Sequence, residues 1–393
     1  MITNQSPGCY QESIGGIINS YAHRKKLNMI EELKIFFEQM RNPASDFSLE
    51  EIRKKFGDSF LKPQAEINKI TSEFYNNSKF TPKINCMYPG CTNNPINSHS
   101  IQKSLFSSLV DDTNHVLMLK TKFTHKERPS ASMKRVGVNE ATTFPGLCEK
   151  HDETLFADIE KKEIDFNNPY HNFLVAYRAL LYENYAKIHS YENIKNIAKN
   201  YSNSGNPDQF TMTALSIMAY SHYLGMFYTS KVKSLLDIPL LNKQYNSELF
   251  FGVKILSFQL PLFLSSIFTP SYDFEEKIIN KFDDSKISPN YFFLSILPSK
   301  SETYIFYSIL KRQKNNFGNI FSKLNQSSDE DILIYLSELI IRYTENFVIS
   351  PDYWNRFPEY KKQNLIKYFN DTARNPKIEY NHELHNIFEY VIR

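Results

Sequence analysis

Two pairs of metal-ligating side chains constrain this chain more than any other feature. Cys86-x4-Cys91 encloses Tyr88-Pro89-Gly90, a turn tight enough to bring two thiolates onto one ion. Cys148-x2-His151 supplies a second pair at the spacing of one helical turn. Cys86, Cys91, Cys148 and His151 together would fill all four positions of a tetrahedral Zn2+, a structural arrangement that leaves no place for substrate or a hydrolytic water. The competing reading is that these are unrelated buried thiols. It explains one pair more easily than two, so a structural zinc is the expectation. The remaining cysteine, Cys9, stands apart and reads as an ordinary thiol.

At 393 residues the chain has room for two or three domains, and 41% hydrophobic with 15% aromatic content excludes a disordered polymer. A net charge of +3 announces no nucleic-acid binder, so any such role must rest on a local patch. Four cysteines are too few for a disulfide scaffold, and MITNQSPGCYQESIGG lacks the basic and apolar regions of a secretory signal. A cytoplasmic location follows as the expectation. The most apolar stretch, 255–268, is interrupted by Gln259 and Pro261, so no membrane crossing is predicted.

Leu27, Ile30, Leu33, Phe37 and Met40 recur at helical steps, Ser48-x-x-Glu51 is a capping box, and Ala65, Ile67, Ile70 and Phe74 continue the pattern. Residues 1–78 therefore read as a helical segment. Residues 79–166 carry the ligand pairs between turn-forming stretches. From Pro169 helical spacing returns through Leu174, Tyr177, Leu181, Tyr185 and Ile188, and again over 211–227. Strand-like runs at 250–258 and 291–297 and a helical run at 331–347 complete a mixed α/β section over 167–393. The fold class is α+β. No internal repeat, Gly-rich phosphate loop or nucleophile elbow is visible.

The ordered segments Cys86-x4-Cys91, Ser98-His99-Ser100-Ile101 and Thr142-Thr143-Phe144-Pro145-Gly146-Leu147-Cys148-Glu149-Lys150-His151-Asp152 resemble the HNH, or ββα-metal (His-Me finger), endonucleases. The resemblance is confined to 79–166. It implies a treble-clef zinc site, with a knuckle, hairpin-length sequence and a helix bearing the last two ligands. It also implies that His99 is the general base and Asp152 the ligand of a catalytic Mg2+ or Mn2+, while His151 belongs to the zinc. Two positions depart from the family pattern. Ser98 replaces a metal-binding Asp, with Glu140 and Glu153 as nearby carboxylates, and Thr142 or Thr143 stands near the orienting Asn, with Asn139 as a substitute. His99 has a plainer reading as a hydrogen-bonded loop histidine or a substitute zinc ligand, and Gln102 either shares its face or is simply exposed.

Nine Lys or Arg against three acids between Lys79 and Arg135 mark a local basic excess, and Lys103, Lys120, Lys122, Lys134 and Arg135 are the candidate nucleic-acid contacts. Arg178, among apolar neighbours, requires a carboxylate or phosphate partner. The resulting expectation is a metal-dependent endonuclease acting on DNA or RNA, and by family association an effector of bacterial anti-phage defence. The alternative is a non-catalytic zinc module that binds nucleic acid or a protein partner. A third reading gives the main function to residues 169–393. A homo-oligomer is the further partner to test.

Overall fold

The computed structural model describes residues 68–70, 72, 81–122, 130–203, 209–281, 287–299, 301–373, 375 and 377–391. Residues 68–70 and 72 are helical; the rest of the helical pattern expected before residue 79, and Cys9, lie outside the described residues.

The strands are β1 (Asn97–His99), β2 (His115–Lys122), β3 (Ser130–Gly137), β4 (Thr143–Pro145), β5 (Leu249–Leu256), β6 (Leu262–Phe268), β7 (Phe292–Pro298), β8 (Thr303–Leu310) and β9 (Phe347–Ile349). The helices are α1 (Glu149–Leu155), α2 (Ala157–Glu160), α3 (Pro169–Ser202), α4 (Gln209–Asn242), α5 (Gly318–Gln326), α6 (Asp329–Tyr343), α7 (Pro351–Asn355), α8 (Glu359–Thr372) and α9 (His382–His385). The protein is α+β.

The chain divides into two compact units. One comprises Met1–Ser78, Thr124–Glu127 and Ile194–Ser221. Its described core joins Ile194, Ile197 and Tyr201 of α3 to Leu215 and Ala219 of α4, with Ile70 packed against them.

The other unit comprises Lys79–Phe123, Arg128–Asn193 and His222–Arg393. It is built on a seven-stranded antiparallel sheet in the order β3-β2-β9-β6-β7-β8-β5, beside the separate pair β1-β4. Alternate residues of β7 enter different cores. Phe292, Leu294 and Ile296 pack with Ile320, Leu333, Leu336 and Leu365 from α5, α6 and α8. Phe293 joins Leu174, Tyr177 and Leu180 of α3 and Val232 and Leu236 of α4. Burial on both faces explains the nearly continuous apolar run in this strand, which lacks the polar alternation of a half-exposed one.

Between β1 and β4 the chain leaves to form the β2–β3 hairpin. The sequence reading kept that hairpin with the zinc section, whereas Leu117 and Met118 pair with Ile349 and Val348 and so extend the large sheet. The run 331–347 was expected to be one helix. It stops at Tyr343, Thr344 turns extended, and Phe347–Ile349 becomes the strand between β2 and β6. Buried Asn346 secures that change: its Nδ2 donates to Ser265 O at 2.6 Å and to Ser100 Oγ at 2.9 Å. The residue directly after β1 is thereby tied to the sheet. Among the described residues no helix is long and apolar enough to cross a membrane.

Candidate metal centre

Pro89 and Gly90 shape the first ligand pair. Gly90 adopts φ +76° and Cys91 N donates to Tyr88 O at 3.0 Å, a Pro-Gly turn in which the left-handed position suits glycine. Cys86 N donates to Asn93 O at 2.8 Å and Met87 N to Gly146 O at 2.9 Å, which docks the knuckle on the segment leading to the second pair. Gly146 is required there because a Cβ would lie 2.4 Å from the Phe144 ring. Cys148 then caps α1 and His151 follows in its first turn.

The ligand atoms of Cys86, Cys91, Cys148 and His151 all lie within 4.8 Å of one another. His151 Nδ1 is 3.4 Å from Cys86 Sγ and 3.3 Å from Cys148 Sγ, and the Cys91 and Cys148 sulfurs are 3.9 Å apart. Tetrahedral zinc with ordinary bond lengths separates S from S by about 3.8 Å and S from N by about 3.6 Å. The donor set therefore fits zinc in both chemistry and spacing. Tyr88 stacks on His151 with ring centroids 4.0 Å apart and planes at 10°, and Asn93 Nδ2 approaches Cys148 Sγ at 4.0 Å. These neighbours orient two of the ligands from outside the coordination sphere.

A second polar group adjoins this centre through α1. Ser98 and His99 on β1 pair with Phe144 and Thr143 of β4, and Asp152 immediately follows the ligand His151. His99 Nε2–H donates to the Val138 carbonyl at 3.2 Å, so the other ring nitrogen, Nδ1, carries the lone pair. Burial lowers the histidine's affinity for a proton, Arg178 and Lys103 lower it further, and Val138 and Asp152 oppose the shift. Asp152 is displaced in the opposite sense. Burial raises its pKa against the pull of the Ser98 hydroxyl and Arg178, while Glu160 adds to the rise. Arg178 Nε and Asp152 Oδ1 are buried without a close hydrogen-bond partner, and the buried Ser98 hydroxyl has only the neighbouring Asp152 carboxylate to turn to.

Packing adds three parts to this group, of which only the need of Arg178 for a partner was read from the sequence. The carbonyl of Val138, rather than the side chain of Asn139, orients His99. Glu160 is a carboxylate that acts on Asp152. Arg178 reaches in from α3, ion-paired to Glu160 and lying 4.5 Å over the Phe156 ring. Gln102 is not idle: its Nε2 donates to Glu160 O at 2.6 Å. Only the unusual burial of Arg178 left a signal in the sequence.

The basic candidates separate. Lys103 acts on His99, whereas Lys120 lies near Glu140 and Glu345. Arg135 is bound to Asp111 and Thr113, and Lys122 and Lys134 stand exposed on β2 and β3. Among the described residues only the Cys3His group brings three or more metal-ligating side chains together.

Fold and site together define an α+β protein with a Cys3His cluster able to hold a metal such as zinc. No protein-family model, no curated protein and no solved structure matches the chain.

Proposed function

We propose that the protein is a metal-dependent phosphodiesterase of the HNH endonuclease type, with His99 as general base and zinc as a structural pin. The observation that carries the reading is the His99 ring. Its Nε2–H is engaged by Val138 O, which leaves Nδ1 as the basic atom, and burial lowers its pKa, which favours the neutral ring. A neutral histidine beside Lys103, Arg178 and a buried carboxylate is suited to taking a proton from water next to an anionic phosphate.

Asp152 fits the role of ligand for a hard cation, because its orphaned Oδ1 is a buried acceptor. Mg2+ commonly takes one or two protein carboxylates and completes its shell with water and substrate phosphate, so a single aspartate suffices. When bound there, such an ion supplies charge neutralisation for the leaving oxygen. The chain's own residues do the rest: His99 Nδ1 accepts the proton, Val138 O holds the ring, and Asn346 with Ser100 anchors the end of β1.

The zinc and the reaction are coupled through α1, because successive residues His151 and Asp152 serve the two sites. The test is incubation with plasmid, single-stranded DNA and RNA, with Mg2+, Mn2+ or EDTA. Cleavage should require the divalent ion and fall about 10²–10⁴-fold in His99→Ala, the usual contribution of a general base. Wild type as inert as His99→Ala on every substrate would leave the binding-only zinc module as the better reading. A defence role against phage would be tested by plaque counts on cells carrying either form.

A further inference from the structure

We infer that Asp111 is a positioning residue for His99, acting through Asn114 and Val138. Its worth to catalysis rests on the reading of His99 as the base, but the hydrogen-bonded linkage can be tested without cleavage.

The linkage is read backwards from the ring. Val138 O accepts from His99 Nε2 at 3.2 Å, and Val138 N donates to Asn114 O at 3.2 Å. The residue that aims the histidine is therefore held by Asn114, which directly precedes β2. Asn114 is exposed and has φ +62°, a left-handed conformation that costs a residue with a Cβ unless local hydrogen bonds impose it.

Asp111 supplies those bonds. Its backbone N donates to His115 O at 3.0 Å and its backbone O accepts from Asn114 N at 3.0 Å, which closes the turn. One carboxylate oxygen, Oδ1, accepts from Thr113 N at 3.0 Å, Thr113 Oγ1 at 2.8 Å and His115 N at 3.1 Å. The residues on both sides of Asn114 are thus pinned to a single atom. The other oxygen, Oδ2, accepts from Arg135 of β3. Burial opposes ionisation, yet these donors hold the Asp111 carboxyl well below the usual range, so it remains a full acceptor. Aspartates that cap turns in this way are common in loops. This one differs because the residue it holds left-handed provides the acceptor for Val138, and Val138 in turn provides the acceptor for His99.

Four variants of the full-length, zinc-loaded protein separate positioning from charge: Asp111→Ala, Asp111→Asn, Asn114→Val and Asn114→Gly. Asparagine keeps a carbonyl oxygen for the Oδ1 place and glycine accepts positive φ, whereas alanine removes the acceptor and β-branched valine resists the left-handed backbone. Two quantities are read: solvent exchange of the His99 Nε2–H proton by NMR, and kcat with KM in the cleavage assay. Exchange should quicken about tenfold or more in Asp111→Ala and Asn114→Val and stay within about threefold of wild type in the other two. The same pair should lose about 10–100-fold in kcat. KM should hold steady in Asn114→Val, which leaves the Asp111–Arg135 pair intact. Because Asn114 is exposed, that variant keeps the test alive if Asp111→Ala fails to fold. Asp111→Asn behaving like Asp111→Ala would make charge the cause and overturn the linkage, as would unmoved exchange in Asn114→Val. An inert wild type whose exchange follows the expected order would sink hydrolysis and keep the linkage. Cleavage that needs His99 yet ignores Asn114→Val, with exchange unmoved, would do the reverse.

Discussion

Replacing Thr142 with glycine should stabilise the protein. Thr142 has φ +59°, is 2% exposed, and carries a buried hydroxyl without a hydrogen-bond partner. The left-handed backbone costs a residue with a Cβ about 1–2 kcal/mol. The unpartnered hydroxyl adds about 1–3 kcal/mol. Against this, glycine surrenders roughly 0.8 kcal/mol of methyl burial and about 0.5–1 kcal/mol of chain entropy. The net expectation is about 1–2 kcal/mol of added stability, allowing for a small void. Thr142→Ala is the control, because it removes the hydroxyl but keeps the strained backbone. Urea denaturation of zinc-loaded protein, followed by circular dichroism, should rank Gly above both Ala and wild type. A glycine variant with a midpoint at or below that of wild type would refute the claim that this turn stores strain. The position is informative because Thr142 O accepts from Ser100 N at 3.0 Å, directly beyond His99. If the strain serves the site, the stabler variant should also cleave more slowly.

Elemental analysis should find about one zinc per chain, lost in Cys148→Ser; structural zinc contributes about 10–16 kcal/mol, as much as an entire domain's net stability of about 5–15 kcal/mol. Well-folded protein without metal would remove zinc from the account. A pH effect is expected at His385, which stacks on Tyr368 at 4.0 Å and accepts a hydrogen bond from Asn381 N. Burial, aided by Lys361 and Lys367, pushes its pKa from 6.5 down to about 4, so the unfolded chain binds the extra proton first. Stability from this group is therefore complete above pH 6.5 and falls as pH drops towards 4, by about 1–2 kcal/mol after allowing for partial solvent exposure. His385→Phe should flatten that limb of the acid-denaturation curve, and an unchanged slope would refute the assignment.

The metal centre was legible because it is built from local pairs. Cys86 and Cys91 are joined by a turn that Pro89 and Gly90 specify, and Cys148 and His151 lie one helical turn apart, so spacing in sequence is nearly spacing in space. The long helices α3 and α4 were equally open to reading, since apolar residues at three- and four-residue steps record which face is buried. The short strand β9 was not. Its residues continue the apolar pattern of α6, and what ties the segment after the helix to the sheet is Asn346, whose partners are Ser100 and Ser265. Nothing near Asn346 in the sequence identifies those partners.

The same distinction runs through the polar site. The sequence by itself determined the members of the Cys3His cluster, the α+β class, and the neighbouring positions of Ser98 with His99 and of His151 with Asp152, because adjacency and short-range periodicity are properties of the chain. Tertiary structure alone decided that a backbone carbonyl at Val138 orients His99, that the β2–β3 hairpin joins the large sheet, and that Arg178 and Glu160 meet beside Asp152. Hydrogen bonds to backbone atoms carry no side-chain signature, and an ion pair formed across elements depends on how those elements pack. A one-dimensional pattern can show that Arg178 needs a partner, but only the packing of α3 against α2 selects Glu160.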